Sequence, residues 1–162
     1  MSKDLNEEIE RLINRLPKLA SSQKPITVDE AEALIANDDD LFDAIALYTS
    51  YNVDIFHEWP QQLEKLIETL KRIRPFAPYF KTFYRGQTGD CRPNPLGFRS
   101  WSINRSTAFD FIRGDRDGVI CERTGRVKGV SISGICMWRM RLRPESHYCG
   151  MQAEWLLLDP AR

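Results

Sequence analysis

The stretch Thr82-Phe-Tyr-Arg-Gly86 marks the point where the pattern of this sequence changes. Before it, apolar residues recur at helical spacing, and after it short β-type runs alternate with glycine and proline. Pro75 and Pro78 separate the two patterns. We therefore predict a helical N-terminal part at residues 1–78 and a β core at residues 79–162, which together form one compact unit.

Four helices are predicted in the first part. The first ends at Pro17, which has no backbone N–H to donate inside a helix. A capping box from Thr27 to Glu30 opens the second helix, which runs to about Ala36. Acidic residues open the third, and Pro60 lies in the first turn of the fourth. Their apolar stripes predict core positions: Leu5, Ile9, Leu12, Ile13, Leu16; Leu41, Ala44, Ile45, Tyr48; Leu63, Leu66, Ile67, Leu70, Ile73.

The second part predicts strands and one short helix. The run 82–85 reads as a strand that ends in a glycine turn at Gly86. The run 98–102 reads as another strand, in which plain alternation would bury Trp101 and turn the serines outward. The run 106–112 reads as a helix capped by Asn104 or Ser106. From Val130 to Arg143 apolar and polar residues alternate, which predicts half-buried strands bent or divided at Gly134. Residues 152–158 form a last strand. The expected fold class is α+β.

Composition narrows the class of protein. The 162 residues are 42% hydrophobic and 28% charged, which is typical of a globular chain. The sequence shows no signal peptide and no apolar run of the roughly 18 residues that a membrane span needs. The four cysteines (Cys91, Cys121, Cys136 and Cys149) form no C-x-x-C pair, which predicts a reduced, cytoplasmic setting. His147 and Cys149 lack a second ligand pair, so we expect no metal site.

Charge is uneven along the chain although its net value is zero. Residues 1–80 hold 9 basic and 15 acidic side chains, whereas residues 81–162 hold 14 basic and 8 acidic ones. A basic half suits a polyanionic ligand, either a dinucleotide or a nucleic acid. Attraction between the two halves of one domain explains the asymmetry equally well.

Three residue types in the second part suit cleavage of a charged dinucleotide. Arg85 could hold a phosphate with two hydrogen bonds. Glu154 could stabilise the positive charge that develops on the ribose when the nicotinamide–ribose bond breaks. Nicotinamide is already a cationic leaving group, so a single carboxylate suffices. Each residue alone is more readily a surface residue; the order of the three segments favours the chemistry.

Those segments resemble one enzyme class. Tyr84-Arg-Gly86, then Phe98-Arg-Ser-Trp-Ser102 with Ala108-Phe-Asp-Phe111, then Gln152-Ala-Glu-Trp-Leu-Leu-Leu158, are similar to the arginine–serine–glutamate mono-ADP-ribosyltransferases of bacterial toxins, bacteriophages and vertebrate ecto-enzymes. The resemblance covers roughly residues 80–160. It implies a mixed, mainly antiparallel two-sheet core with an NAD cleft between the sheets. NAD would be the co-substrate, with no metal. No G-x-G-x-x-G follows a strand, so the doubly wound fold is not expected.

The resemblance also implies roles for individual residues on the NAD side. Arg85 would contact the NAD phosphates, and Gly86 would offer backbone hydrogen bonds to the nicotinamide amide. Ser100 would orient Glu154, and Ser102 would support the strand and the NAD site. Glu154 would hydrogen-bond the ribose and stabilise the oxocarbenium-like transition state.

Further residues would recognise the acceptor. Gln152 would face it, and in this class a glutamine at that place goes with non-arginine acceptors, so a protein acceptor modified at another residue type is expected. Tyr148 would be the aromatic residue of the acceptor-recognition turn. Trp101 departs from the class, which usually has a small threonine between the two serines.

Several alternatives use the same sequence. Water as the acceptor would make the chain an NAD glycohydrolase with the same three residues. A non-catalytic module that binds NAD or nucleic acid is a second alternative, although the arginines are scattered. The acidic N-terminal helices could dock the target or a neutralising partner. The setting could be a phage factor, a toxin or a secreted effector acting inside a host cell, and no membrane partner is expected.

Overall fold

The computed structural model describes residues 3–51, 55–145 and 154–160. Its helices are α1 (Lys3–Ser21), α2 (Val28–Asn37), α3 (Asp39–Tyr51), α4 (Pro60–Arg72), α5 (Arg105–Phe111) and α6 (Ile132–Leu142), with a 3-10 turn at Ile55–His57. Its strands are β1 (Phe83–Thr88), β2 (Phe98–Ser102), β3 (Gly118–Arg123), β4 (Gly129–Ser131) and β5 (Glu154–Leu158). The predicted α+β fold class is confirmed.

Local signals placed three helix starts correctly. Thr27 accepts the N–H of Glu30 at 3.2 Å, and the Glu30 carboxylate accepts the N–H of Thr27 at 2.9 Å, so the capping box is confirmed. Asp38 Oδ1 accepts the N–H of Leu41 at the start of α3. Pro60 occupies the first turn of α4. These groups satisfy N–H donors within one turn, so a reading of a few residues is enough to find them.

Helix α1 continues beyond Pro17 to Ser21, so the prediction that the proline ends the helix is wrong. A proline inside a helix removes a hydrogen bond and costs about 3 kcal/mol. Leu16, before the proline, is buried, and Leu19, after it, packs on the same apolar cluster. Burial on both sides of Pro17 holds the last turn in helical form.

All five described strands lie in one antiparallel sheet with the order β3-β1-β2-β5-β4. Among the residues that the structure describes, the second sheet implied by the resemblance is not seen. Strand β2 pairs with β5 along its whole length, and β1 pairs with β3 in the same way. By contrast, β1 and β2 pair only where Tyr84 faces Ser102. The junction between β1 and β2 is therefore the most sparsely paired one in the sheet.

Gly86 lies inside β1, which runs on to Thr88, so the predicted glycine turn at Gly86 is wrong. A side chain at this position would collide with the backbone carbonyl of Ala108 in α5. The missing Cβ therefore lets α5 lie directly against β1. This contact brings the helix that follows β2 onto the strand that carries Arg85.

The predicted strands between Val130 and Arg143 are wrong beyond Ser131, where α6 begins. The Ser131 hydroxyl accepts the N–H of Gly134 at 3.3 Å and caps the helix. The buried residues of α6 recur at helical spacing: Ile132, Ile135, Cys136 and Arg139. The basic residues Arg139 and Arg141 lie in its last turn, where they oppose the negative end of the helix dipole. The alternating sequence does not exclude a helix, because some of its polar residues lie at polar positions of a strand and also at polar positions of this helix.

One hydrophobic core joins the helices to the sheet. Side chains from α2, α3, α4 and α6 cover the sheet face on which Phe98, Val130 and Leu156 are fully buried. A smaller cluster that includes Trp101 and Leu157 lies on the opposite face, since neighbouring strand residues point to opposite sides. Helix α6, which lies within residues 79–162, thus packs with helices from residues 1–78.

A disulfide joins Cys91 to Cys121, whose Cα atoms are 5.6 Å apart. The spacing of the cysteines predicted a reduced setting and gave no sign of this bond, because two cysteines 30 residues apart are paired only by the tertiary fold. Cys136 is buried and takes no part in this disulfide, and Cys149 lies outside the described residues. No described helix combines the length and apolar content that crossing a membrane requires. The cytoplasmic setting stays a prediction.

Candidate active site

Ser100 and Glu154 come together because β2 and β5 are antiparallel neighbours. The register places Ser102 opposite Glu154 and Ser100 opposite Leu156. Side chains at these positions share one face of the sheet. The Ser100 hydroxyl donates a hydrogen bond to Glu154 Oε1. Two residues that are 54 positions apart in the chain thus form one hydrogen-bonded pair.

Arg85 reaches the same pair from β1. Its Nη1 donates to the backbone carbonyl of Ser100 at 2.7 Å, and its Nε donates to Gln87 Oε1 at 3.0 Å. The Ser100 carbonyl lies beyond the single pair that joins β1 to β2. The arginine side chain therefore donates to a backbone carbonyl at the sparsely paired junction and connects β1 to β2 there.

Burial and charge act in opposite directions on Glu154. Burial raises the pKa of the Glu154 carboxyl, whereas the hydrogen bond from Ser100 and the positive charge of Arg85 lower it. Burial likewise lowers the pKa of the Arg85 guanidinium, and electrostatic interactions with Tyr48 and Glu154 raise it. A guanidinium stays charged at neutral pH despite such a shift. The site thus combines a half-buried carboxyl group with a permanent positive charge.

Three contributors to this site were not identified from the sequence as functional residues. Tyr48 of α3 interacts with Arg85, and its ring lies 5.4 Å from that of Phe98. Gln87 accepts hydrogen bonds from Arg85 and from Arg99 Nη1, the latter at 3.3 Å. Helical spacing marked Tyr48 only as a core position. Gln87 shares strand parity with Arg85, two residues before it, but nothing in the sequence indicates its contact with Arg99.

Arg99, the third contributor, is 5% exposed and fastens the chain around the site. Its Nε pairs with Asp159 Oδ1 at 3.3 Å, and its Nη1 donates to the carbonyl of Arg92 at 3.0 Å. Asp159 in turn accepts the N–H of Asn94 at 3.0 Å. The sequence held one signal for this role: Arg99 shares strand parity with Trp101, which the alternation predicts to be buried.

The remaining predicted residues have separate positions. The Ser102 hydroxyl accepts the N–H of Asn104 at 3.0 Å, just before α5. Asn104 holds the N-cap position of α5 without a side-chain cap bond. Gly86 touches α5, as described above. Gln152 and Tyr148, the predicted acceptor-recognition residues, lie outside the described residues, as does His147.

Other surface features lie away from this site. Three depressions lined by described residues are found beside Arg72 and Lys128, beside Trp59, and between α1 and Trp138. In the part of the chain that the structure describes, no group of three His, Cys, Asp or Glu side chains is arranged to hold a metal ion. The candidate site is defined by the contacts of Ser100 with Arg85 and with Glu154.

Comparison with known proteins found no match: no protein-family model, no curated protein and no solved structure matches this chain. The function is therefore inferred from the contacts among Arg85, Ser100 and Glu154, and from the chemistry that this set of groups can perform.

Proposed function

We propose that the chain is an NAD-dependent mono-ADP-ribosyltransferase that moves ADP-ribose to a macromolecular acceptor, most simply a protein modified at a residue other than arginine. The observation that carries the proposal is the contact set at the β1–β2 junction. Ser100 donates to the Glu154 carboxylate, and Arg85 is anchored on the Ser100 carbonyl. A fixed anion next to a fixed cation suits a substrate with a cationic ribose end and an anionic diphosphate.

In the proposed reaction the bond between ribose C1′ and the nicotinamide nitrogen breaks. The electron pair goes to the ring nitrogen, so nicotinamide leaves as a neutral molecule and the ribose takes on oxocarbenium character. The Glu154 carboxylate stabilises this charge more strongly in the transition state than in the ground state. A nucleophile of the acceptor then bonds to C1′ and loses its proton to solvent.

The electrostatics of the site support this assignment of roles. Glu154 must be ionised to stabilise a cation; burial raises its pKa, and Ser100 and Arg85 both oppose that rise by favouring the ionised form. Partial burial of Glu154 strengthens its field, because charges interact more strongly where water is excluded. Arg85 carries the charge and the geometry to bind a phosphate oxygen. Each of the three residues thus supplies a different part of the reaction.

The same proposal extends to the fold. We assign the NAD cleft to the junction of β1 and β2, where the strands pair only through Tyr84 and Ser102. An ADP-ribosyltransferase-like core with two sheets divides its strands at the NAD site. The sparsely paired junction supports that comparison, although all five described strands lie in one sheet.

The direct test uses labelled NAD, a cell lysate as the acceptor source, and the variant Glu154→Gln. Loss of a transition-state charge should slow transfer by at least about 100-fold. Glu122→Gln is the matched control, because Glu122 is an exposed strand glutamate on β3 and should leave the rate unchanged. Equal labelling by wild type and Glu154→Gln would sink the proposal.

Product analysis separates transfer from its alternatives. A labelled macromolecule that requires Glu154 establishes transfer, and mass spectrometry of it names the acceptor residue. Free ADP-ribose without a labelled band makes the chain an NAD glycohydrolase. Gln152→Ala sharpens the distinction, since protein transfer should fall while hydrolysis persists. NAD that stays intact throughout would mean a non-catalytic module.

A further inference from the structure

Gln87 connects the candidate site to the loop that follows β1. Its amide oxygen accepts from Arg85 Nε at 3.0 Å and from Arg99 Nη1 at 3.3 Å. Its amide nitrogen donates to the backbone carbonyl of Asp90. One side chain thus fixes two guanidinium groups at one end and the loop of residues 89–97 at the other.

The disulfide fastens this same loop to the sheet. Cys91 lies in the loop, one residue after Asp90, and Cys121 lies in β3 directly opposite Arg85 in the ladder. Arg99 Nη1 also donates to the carbonyl of Cys91 at 3.4 Å. The disulfide therefore holds the Asp90 carbonyl where the Gln87 amide can donate to it. Gln87 in turn accepts a hydrogen bond from the Arg85 guanidinium.

The disulfide is open to attack from one side. Cys91 is exposed, whereas Cys121 is 2% exposed. A thiolate of a dithiol reductant can bond to the Cys91 sulfur and release Cys121 as a thiol. The second thiol of the reductant then displaces the Cys91 sulfur, which leaves two cysteine thiols and an oxidised reductant.

We propose that Gln87 is a positioning residue for Arg85 and that the Cys91–Cys121 disulfide makes this positioning redox-sensitive, so that the oxidised chain binds NAD more tightly than the reduced chain. This inference rests on the proposed function. Its physical reason is preorganisation: an arginine released from its partners must be ordered again when it binds a phosphate.

The first experiment measures NAD affinity of the whole chain by titration calorimetry, before and after treatment with dithiothreitol. Reduction should weaken binding by about tenfold, the factor that corresponds to ordering one arginine side chain. Cys91→Ser should show the weaker affinity without reductant and should not respond to it. Equal affinity of the oxidised and reduced chains, both folded by circular dichroism, would overturn the proposal.

Gln87→Ala tests the route while the disulfide stays intact, and it serves if the reduced chain does not fold. It should weaken NAD binding by itself, with the rate at saturating NAD less affected than KM. If the disulfide acts through Gln87, reduction should change the affinity of this variant much less than that of wild type. If reduction and Gln87→Ala each weakened binding fully and independently, the disulfide would not act through Gln87. Unchanged NAD affinity of Gln87→Ala would contradict the proposal as well.

A readout without NAD keeps this inference separate from the proposed function. In arginine-labelled protein, the Nε–H of Arg85 is assigned by its absence from Arg85→Lys, and its hydrogen exchange is followed by NMR. Exchange should accelerate on reduction, because the Gln87 acceptor is released. Unchanged hydrogen exchange of the Arg85 Nε–H overturns the inference, whether or not reduction changes the affinity for NAD. Accelerated exchange in a chain that binds no NAD supports the redox-sensitive positioning of Arg85 by Gln87 and rejects both the proposed function and the effect on NAD affinity.

Discussion

Glu32 in α2 and Glu154 in β5 are two carboxyl groups whose pKa burial raises, and they lie in regions of different construction. Glu32 is 4% exposed and packs at the start of α6, where its Oε2 accepts the N–H of Ser131 at 2.7 Å. Glu154 is only half-buried and is bound by a side-chain hydroxyl beside an arginine. The first region encloses its glutamate almost completely, whereas the second leaves part of Glu154 accessible.

The surroundings of the two carboxyl groups distinguish one that is buried for structural reasons from one that lies in a candidate functional site. Burial raises the pKa of Glu32 to about 8, and the hydrogen bond from Ser131 offsets only part of this effect. The nearby charge of Asp29 raises the pKa further, so Glu32 has no cation that would favour its ionised form among these causes. Glu154 has such a cation in Arg85. We therefore expect Glu32 to act on stability and Glu154 to act on rate.

The largest expected effect is the loss of rate when Glu154 loses its charge. Glu154→Gln should lower the rate of NAD cleavage by at least about 100-fold and change the unfolding midpoint little, since the amide keeps the shape of the carboxyl group. Glu32→Gln should keep the rate within about twofold, because Glu32 lies in another region. The rates come from nicotinamide release and the midpoints from thermal unfolding. A slow Glu32→Gln enzyme with a normal midpoint would show that the two regions are not separate.

Two glycines test the packing that builds each region. Gly86→Ala should destabilise the fold by about 2–3 kcal/mol, because the new Cβ meets the rigid backbone carbonyl of Ala108. Gly134→Ala should cost less, about 1–2 kcal/mol, since its Cβ meets the Glu32 carboxyl group while alanine favours the helix. Urea denaturation measures both. Glu32→Ala in the Gly134→Ala background should remove the clash, and additive losses would contradict this account.

The pH dependence of stability should differ between wild type and Glu32→Gln. The pKa of Glu32 rises from its ordinary 4.5 to about 8 in the folded chain, so between these values the folded state holds a proton that the unfolded state has lost. Its contribution is therefore complete below about pH 4.5 and is lost as the pH rises toward 8. Thermal unfolding across this range should favour Glu32→Gln increasingly with pH. A constant difference between the two proteins would argue against a buried, protonated Glu32.

The smallest expected effect concerns the hydroxyl on Glu154. Removing it in Ser100→Ala should raise the pKa of Glu154 further, because the hydrogen bond from Ser100 lowers that pKa. The acidic limb of the rate profile should then move to higher pH, with the limiting rate reduced by about tenfold or less. Ser102→Ala is the matched control, since its hydroxyl contacts the Asn104 N–H. Identical profiles for the two variants would remove Ser100 from the mechanism.

Sequence alone predicted the elements whose causes are local. The capping box at Thr27, the proline at the start of α4 and the strand of Phe98–Ser102 all depend on neighbours within a few residues. The region after Ser131 was misread because its alternating residues satisfy strand spacing and helical spacing together. Only the Ser131 cap and the packing on α2 decide between the two structures.

The candidate site was predictable to a different extent. The resemblance selected Arg85, Ser100 and Glu154 as a set, and the fold brings them into contact. Tyr48 could not be found, because it comes from a helix distant in sequence, and the contact of Gln87 with Arg99 joins residues of two different strands. The disulfide was missed for the same reason.

The position of β5 inside the sheet, between β2 and β4, has a consequence for how the protein is made. A ribosome releases the chain from its N-terminus, and contacts between residues far apart in sequence form late. Glu154 must therefore be synthesised after every other described strand and then inserted between two of them. The unfinished chain has β2 and β4 but no carboxylate between them. Under the proposed function, NAD in the producing cell is not consumed by nascent chains, and activity appears only when the sheet closes.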